Sequence, residues 1–468
     1  MKFTPKPNQR ALIAHGIERK LSAWFVGMGL GKTAARLAVW NHLFFDGQLK
    51  GVLVVAPLRV AVLTWPDEIK KWDDFQWLRV ANLRTKEGKQ AWQDGAADIY
   101  LINYEALPRF SEEFLKGKKA SEIPVNEVFF DESDNAKSHS SKRINTFRKW
   151  GRAKFERCGI QTGTFFSNSR LGIFSQIRLL DCGERWKTPS NPNGTSYISW
   201  RDQYFEVENP FADYPRFKLR EGSQGLIENK IADVALVQRT EEHADWLPPV
   251  EHDVAVKLPA KSARLYATVQ KEYLQTLDDG FEILAANSGV LVNKLLQITS
   301  GAIYVVKDDD LKTRRVENLH GAKVAALKKL HKDNGNAPML VACQFIHEVD
   351  RVLEAIPGAE RFENDRLDAW NRGEIPMIVA HPKSIGHGLN MQEGSKLICW
   401  FSLGYSRALY DQWNGRLART GQAEETQVFR LIVPGTVDDA IAHTLEVCKE
   451  DKNNFDATLA DAIRRLSE

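Results

Sequence analysis

The sequence predicts an α/β chain built as two similar halves, and three observations carry that prediction. Short apolar runs of strand length alternate with helical stretches in each half. A glycine-rich turn follows an early strand and leads straight into a helix. Between the halves, residues 183–250 are rich in Pro, Gly and Asn early on and close with DWLPPVEHD, which reads as a break between two cores.

In the first half the apolar runs are GVLVVAP (51–57), IYLINY (99–104), EVFFDE (127–132) and CGIQTGT (158–164), separated by stretches such as TAARLAVWNHLFF. In the second half PMLVACQF (338–345), PMIVAHP (376–382), KLICWFS (396–402) and TQVFRLIV (426–433) repeat the pattern. Runs that are apolar throughout, rather than alternating, suit strands buried on both faces of a parallel sheet. The likeness between the halves lies in this order, with no residue-level repeat. The expected divisions are 1–182, a mostly helical insert or linker over 183–250, and 251–468 with C-terminal helices, the boundary falling near Leu247 to Pro249.

Bulk properties narrow the class. A length of 468 residues with 43% hydrophobic and 27% charged residues suits an ordinary folded chain with ample core. With 64 basic against 61 acidic residues the net charge is only +3, so the placement of charge, and not its sum, must identify any polyanionic partner. The five cysteines are scattered without CxxC pairs or zinc-like histidine spacing, which fits a reducing cytoplasm. The N-terminal stretch has no apolar signal core, and no run reaches membrane-spanning length, so no membrane partner is expected.

The turn WFVGMGLGKT is the first piece of chemistry. Its glycines, Gly29 and Gly31 among them, let backbone N–H groups approach phosphates at a helix N-terminus. Lys32 is then placed to reach the β- and γ-phosphates, and the Thr33 hydroxyl to hold Mg2+. The spacing departs from GxxxxGK[ST], because Val26 stands at the first glycine position and Gly27 comes one residue late. A hydrolase of this kind also needs a second metal anchor and a group that polarises water. After the strand EVFF, Asp131 suits the metal and Glu132 the water. Far downstream, DQWNGRLARTGQ places Arg416 and Arg419 three residues apart, on one face if the segment is helical. Guanidinium groups supplied from outside the phosphate loop stabilise the charge that builds on the γ-phosphate, so both are candidate catalytic residues.

The ordered series GMGLGKT, VVAPLRVAVLTWPDEIKKW, INYEAL, DESD, TGTFFSN, HPKSIGHGLNMQ and QWNGRLARTGQ resembles the motif set of helicase superfamily two, specifically its Swi/Snf-like ATPases, and most closely the compact ones encoded by phages and prophages. The resemblance runs through nearly the whole chain. It implies two tandem RecA-like lobes, ATP in the cleft between them, DNA across both, and a small insert between lobes. It also implies that Gln9 reads adenine, that Thr162, Gly163 and Thr164 couple hydrolysis to DNA, and that Gly386, Gly388 and Gln412 belong to second-lobe motifs, Gly388 and Gln412 contacting nucleotide. Three departures stand out: Asp134 where a histidine is usual, Phe165 where proline is usual, and Val26–Gly27 where acidic residues are common.

The basic run 137–157, KSHSSKRINTFRKWGRAKFER, carries a local charge of +7 and leaves the rest of the chain net acidic. It marks Lys137, Lys142, Arg143 and Arg148 as candidate nucleic-acid contacts. The expected activity is ATP-driven movement on duplex or branched DNA: fork or junction remodelling, branch migration, or clearing of bound protein. The alternatives are a helicase that tracks and separates single strands, and an ATP-gated switch acting through a recruiting partner protein. Both halves of an ATP site lie on one chain, so a monomer suffices for catalysis. If the chain is phage-encoded, the compartment is the host cytoplasm.

Overall fold

Every strand of the two large sheets runs parallel to its neighbours, and each sheet anchors its own unit, Met1–His243 and Ala244–Glu468. The structure, a computed structural model, describes residues 1–163, 171–187, 196–207, 217–242, 246–278, 284–307, 310–385, 389, 391–419, 422, 424–447 and 462–463.

In the first unit the strands are β1 (Leu21–Val26), β2 (Val52–Ala56), β3 (Val80–Asn82), β4 (Ile99–Asn103), β5 (Glu127–Asp131) and β6 (Arg157–Thr162). A small antiparallel pair, β7 (Phe205–Val207) and β8 (Phe217–Leu219), precedes β9 (Ala235–Gln238). The large sheet has the order β3-β4-β2-β5-β6-β1-β9. Alternate side chains enter two separate cores. Trp24, Val54, Leu101 and Phe129 pack with Trp40 and Trp65 on one face, whereas Phe25, Val55, Ile102 and Phe130 pack with Phe147 and Phe174 on the other. Helices on both faces account for the uniformly apolar runs in the sequence.

The second unit holds β10 (Val250–Ala255), the antiparallel hairpin β11 (Ala302–Lys307) and β12 (Asp310–Asn318), then β13 (Met339–Ala342), β14 (Ala359–Arg361), β15 (Met377–Ala380), β16 (Leu397–Trp400) and β17 (Gln427–Ile432). Its large sheet runs β10-β17-β16-β13-β15-β14. A fully buried Lys323–Asp438 ion pair of 2.8 Å, with Thr299 Oγ1 donating to Asp438 at 3.0 Å, ties three of its helices together.

The segment expected as an insert is different in the structure. β9 pairs with β1 in the first large sheet, and Trp186, Trp200, Tyr204, Ile227 and Ile231 are buried in the same core as β5 and β6. Apolar side chains that share a core cannot form a free-standing linker, so the described part of 183–242 completes the first unit. The break between units falls just before the expected Leu247 to Pro249. Among the described residues no helix is long and apolar enough to cross a membrane.

Candidate nucleotide site and basic surface

The phosphate-loop candidate grows out of the C-terminal end of β1. Gly29 (φ 77°) and Gly31 (φ 71°) take left-handed backbone conformations that L side chains rarely adopt, and Gly31 caps the helix Lys32–Phe45. Lys32 Nζ donates to the carbonyls of Val26 at 2.9 Å and Gly27 at 3.0 Å, so its charge lies over the loop. Gln9 is buried beneath it. Its Nε2 donates to Gly31 O at 3.1 Å and its Oε1 accepts from Lys6 N at 2.9 Å, fixing the amide beside the loop.

Gly27 has a structural cause. Its N–H donates to Gln238 O at 2.9 Å, and the Thr240 hydroxyl donates to Met28 O at 3.2 Å. A Cβ on Gly27 would stand 2.1 Å from Thr240 Oγ1, so the edge strand β9 and the turn after it clamp the loop where a side chain is usual in the family it resembles.

Asp131, the last residue of β5, is buried and its carboxylate is held by three donors. Gln161 Nε2 at 2.8 Å and the Glu132 N–H at 2.8 Å reach Oδ1, and Trp65 Nε1 reaches Oδ2 at 3.0 Å. Burial, and then the neighbouring Glu132 charge, push the Asp131 carboxyl above the usual carboxylate range, partly opposed by the Gln161 bond and by the Lys32 charge. Glu132 itself adopts φ 50° and ψ 55°, an uncommon conformation for a residue with a side chain. Tyr104 Oη supports it from beneath by donating to Asp131 O at 2.9 Å. Thr162 ends β6 fully buried, and Gly163 abuts the loop, where a Cβ would lie 3.2 Å from Met28 Cγ and 3.8 Å from Lys32 Nζ. Strands β5, β6 and β1 are adjacent, so Asp131, Glu132, Gly163 and Lys32 gather at or just beyond the C-terminal ends of neighbouring central strands. Thr164 and Phe165 lie outside the described residues.

The cation implied by this chemistry fits the residues present. The Asp131 carboxylate has about four lone-pair directions, of which three are taken, and Gln161 Oε1 beside it is buried without a hydrogen-bond partner among the described residues. Asp134, at the usual histidine position, pairs instead with Lys137 at 3.0 Å.

In the second unit the expectation of a helix through both arginines needs correction. The helix Arg407–Asn414 stops at Gly415, and Arg416 and Arg419 follow in turns closed by N–H bonds from Arg416 to Trp413 O and from Ala418 to Asn414 O. The two side chains still converge, since Arg416 Nη1 at 3.4 Å and Arg419 Nη2 at 2.6 Å both donate to Leu389 O. Gln412 is half-buried on the helix. Gly386 and Gly388 lie outside the described residues.

The basic run divides by burial. Arg157 is a core residue paired with Glu127 at 3.1 Å, and Arg152 is buried against the Leu179 and Phe155 carbonyls. Neither contributes surface charge, so the local excess read from sequence is too high. Arg143 pairs with Glu105 at 2.7 Å and Lys137 with Asp134, while Lys142 is exposed at the start of the helix Lys142–Trp150. Arg148 donates to Asn145 Oδ1 at 3.2 Å, and burial, then the Arg178 charge, depress its pKa to about 10.

Sequence reasoning named no role for Trp65, Tyr104, Gln161, Gln238 or Thr240. Trp65 falls within a stretch that carries the resemblance, yet nothing in its local spacing points to Asp131.

The SNF2-related domain model matches residues 26–297, more than half of the chain. The chain belongs to this SNF2-related family. A full-length relative is protein p41 of the Acyrthosiphon pisum secondary endosymbiont phage 1, 31% identical over 99% of both chains. The ATP-dependent helicase MG018 of Mycoplasma genitalium is 22% identical over 94% of this chain but only 41% of its own length, so this SNF2-family chain spans less than half of that relative. Among solved structures, the Sulfolobus solfataricus SWI2/SNF2 ATPase core in complex with dsDNA aligns over 100% of this chain and 95% of that one, at 18% identity and a TM-score of 0.45. Each unit is, taken by itself, a parallel sheet with helices packed against it, as the resemblance read from the motifs implies.

Proposed function

We propose that this SNF2-family ATPase couples ATP hydrolysis to movement along duplex or branched DNA, remodelling forks or junctions or clearing bound protein. The observation that carries the reading is the gathering of Lys32, Asp131 and Glu132 at the C-terminal ends of the central strands of the first sheet, with the Asp131 carboxylate fixed by Gln161 and Trp65. Lys32 meets the β- and γ-phosphates at the helix N-terminus, with Gly29 and Gly31 shaping the loop, and Gln9 meets the adenine edge. Thr33 and Asp131 hold Mg2+, which supplies charge neutralisation on the phosphate oxygens. Glu132 orients the attacking water and takes its proton. Arg416 and Arg419 supply positive charge to the γ-phosphate when the second unit engages the nucleotide, with Gln412 and Gly388 beside them. Such arginines are worth roughly 10³ to 10⁵ in rate in phosphoryl transfer. Thr162 and Gly163, against the loop, pass the nucleotide state to DNA, and the exposed Lys142 with the half-buried Arg148 on the basic helix contacts phosphates.

Steady-state hydrolysis with no DNA, blunt duplex, single strand and a four-way junction, at one salt concentration, tests the proposal. Strong stimulation by duplex or junction together with displacement of a triplex strand from duplex DNA is the expected result. Stimulation by single strand alone would replace it with a strand-tracking helicase. Absence of stimulation by any DNA would replace it with a partner-gated switch.

A further inference from the structure

The segment that follows β2 is irregular in a way that serves one side chain. Val60–Thr64 forms a π-helical turn that runs directly into the helix Trp65–Lys71. Such turns are rare and are often found at functional sites, although a second one, Ser111–Leu115, lies elsewhere in the same unit. The side chain aimed here is Trp65. It is fully buried, its ring stacks on Trp40 at 5.1 Å and meets Phe129 at 5.8 Å, and its indole N–H donates to Asp131 Oδ2 at 3.0 Å. Gln161 approaches the same carboxylate from β6, donating to Oδ1 at 2.8 Å. The carboxylate is thus fixed from both sides by groups that belong to neither the phosphate loop nor the acidic pair.

Packing alone does not require this arrangement. The apolar site between Trp40 and Phe129 would accept any large aromatic ring, and a phenylalanine there would leave no indole N–H to satisfy. A tryptophan places a donor on one oxygen and so selects one orientation of the carboxylate. A buried carboxylate needs donors to hold its charge and its orientation.

We propose that Trp65 and Gln161 are paired positioning residues that pre-set the Asp131 carboxylate for a divalent cation, Trp65 holding Oδ2 and Gln161 holding Oδ1. The inference rests on the reading of Asp131 as the cation's ligand. Donors of this outer kind typically change metal affinity by about 10- to 100-fold when removed.

The test uses the full chain and a fluorescent ATP analogue, titrated with MgCl2 and, separately, in excess EDTA. Trp65→Phe keeps the ring stack and removes the donor. The expected result is a rise of about tenfold in the Mg2+ concentration that half-saturates the metal-dependent gain in nucleotide binding, with EDTA binding within twofold of wild type. Hydrolysis should fall at low Mg2+ and return at high Mg2+, a split that loss of fold does not produce. If Trp65→Phe does not fold, Gln161→Met provides the same readout from the other oxygen. Asp131→Asn is the control. An Asp131→Asn variant with unchanged metal dependence would overturn the ligand assignment itself, whereas a strong effect there and a wild-type Mg2+ midpoint in both Trp65→Phe and Gln161→Met would overturn the positioning role alone.

Discussion

Replacing Gly27 with alanine tests how tightly β9 grips the phosphate loop. The added Cβ would stand 2.1 Å from Thr240 Oγ1 and 2.8 Å from Thr240 N, both closer than real Cβ contacts come, and 3.2 Å from Thr240 Cβ, tighter than most. One of these atoms is backbone, so rotating the threonine cannot relieve the whole overlap. The loop or the β9 turn must shift, and overpacking of this kind costs about 1 to 3 kcal/mol. That cost appears as a lowered melting temperature, and if the loop must return to its wild-type shape to hold nucleotide, binding weakens by up to roughly 150-fold at about 1.4 kcal/mol per tenfold. A Gly27→Ala/Thr240→Ala double variant removes the 2.1 Å contact and leaves the 2.8 Å one, so it should recover part of the loss. Thr240→Ala alone loses only the hydroxyl's bond to Met28 O, about 0.5 to 1.5 kcal/mol. Titration with a fluorescent ATP analogue at fixed Mg2+, beside a thermal melt, reads all three variants. Wild-type binding and melting in Gly27→Ala, or a double variant no better than the single, would refute the clamp.

Glu132→Gln should keep nucleotide binding within a few-fold and lower hydrolysis by about 10² to 10⁴, as loss of a general base does; equal turnover in the variant would remove Glu132 from the reaction. Reversing Lys142 and Arg148 should flatten the log–log salt dependence of duplex binding by about 0.9 for each residue that meets a phosphate, measured by anisotropy between low and moderate salt. His347 is buried with neither ring nitrogen hydrogen-bonded among the described residues, and burial, then Arg351, depress its pKa to about 4. The unfolded state then binds a proton that the folded state refuses between about pH 6.5 and 4, so stability falls as pH falls through that window, by up to about 3 kcal/mol from this residue. His347→Phe should reduce the acid loss, read by thermal melts across pH, while the part due to His15, likewise depressed to about 4, persists.

The first sheet shows how far local pattern reaches. The runs ending at Ala56, Asn103, Asp131 and Thr162 are strands because a both-sides-buried strand must be apolar throughout, and that signal is local. The glycine turn and the acidic pair are legible for the same reason. Each places its backbone or carboxylate by its position at a strand end, and the ordered motifs carry the family with them.

The sequence by itself therefore determined the two α/β units, the candidate nucleotide-site residues on strand ends and the family. Tertiary structure alone decided which charges count and which side chains support the site. Arg157 and Lys142 look alike in a basic run, yet one is buried on Glu127 and the other faces solvent, because burial depends on packing that one-dimensional spacing does not encode. Trp65 and Asp131 are 66 residues apart, Gly27 and Thr240 still farther, and their contacts exist only because the strand order sets β2 beside β5 and β9 beside β1. A hydrogen bond acts over about 3 Å, so the partners it joins are fixed by sheet order and register, which no local stretch of this chain specifies.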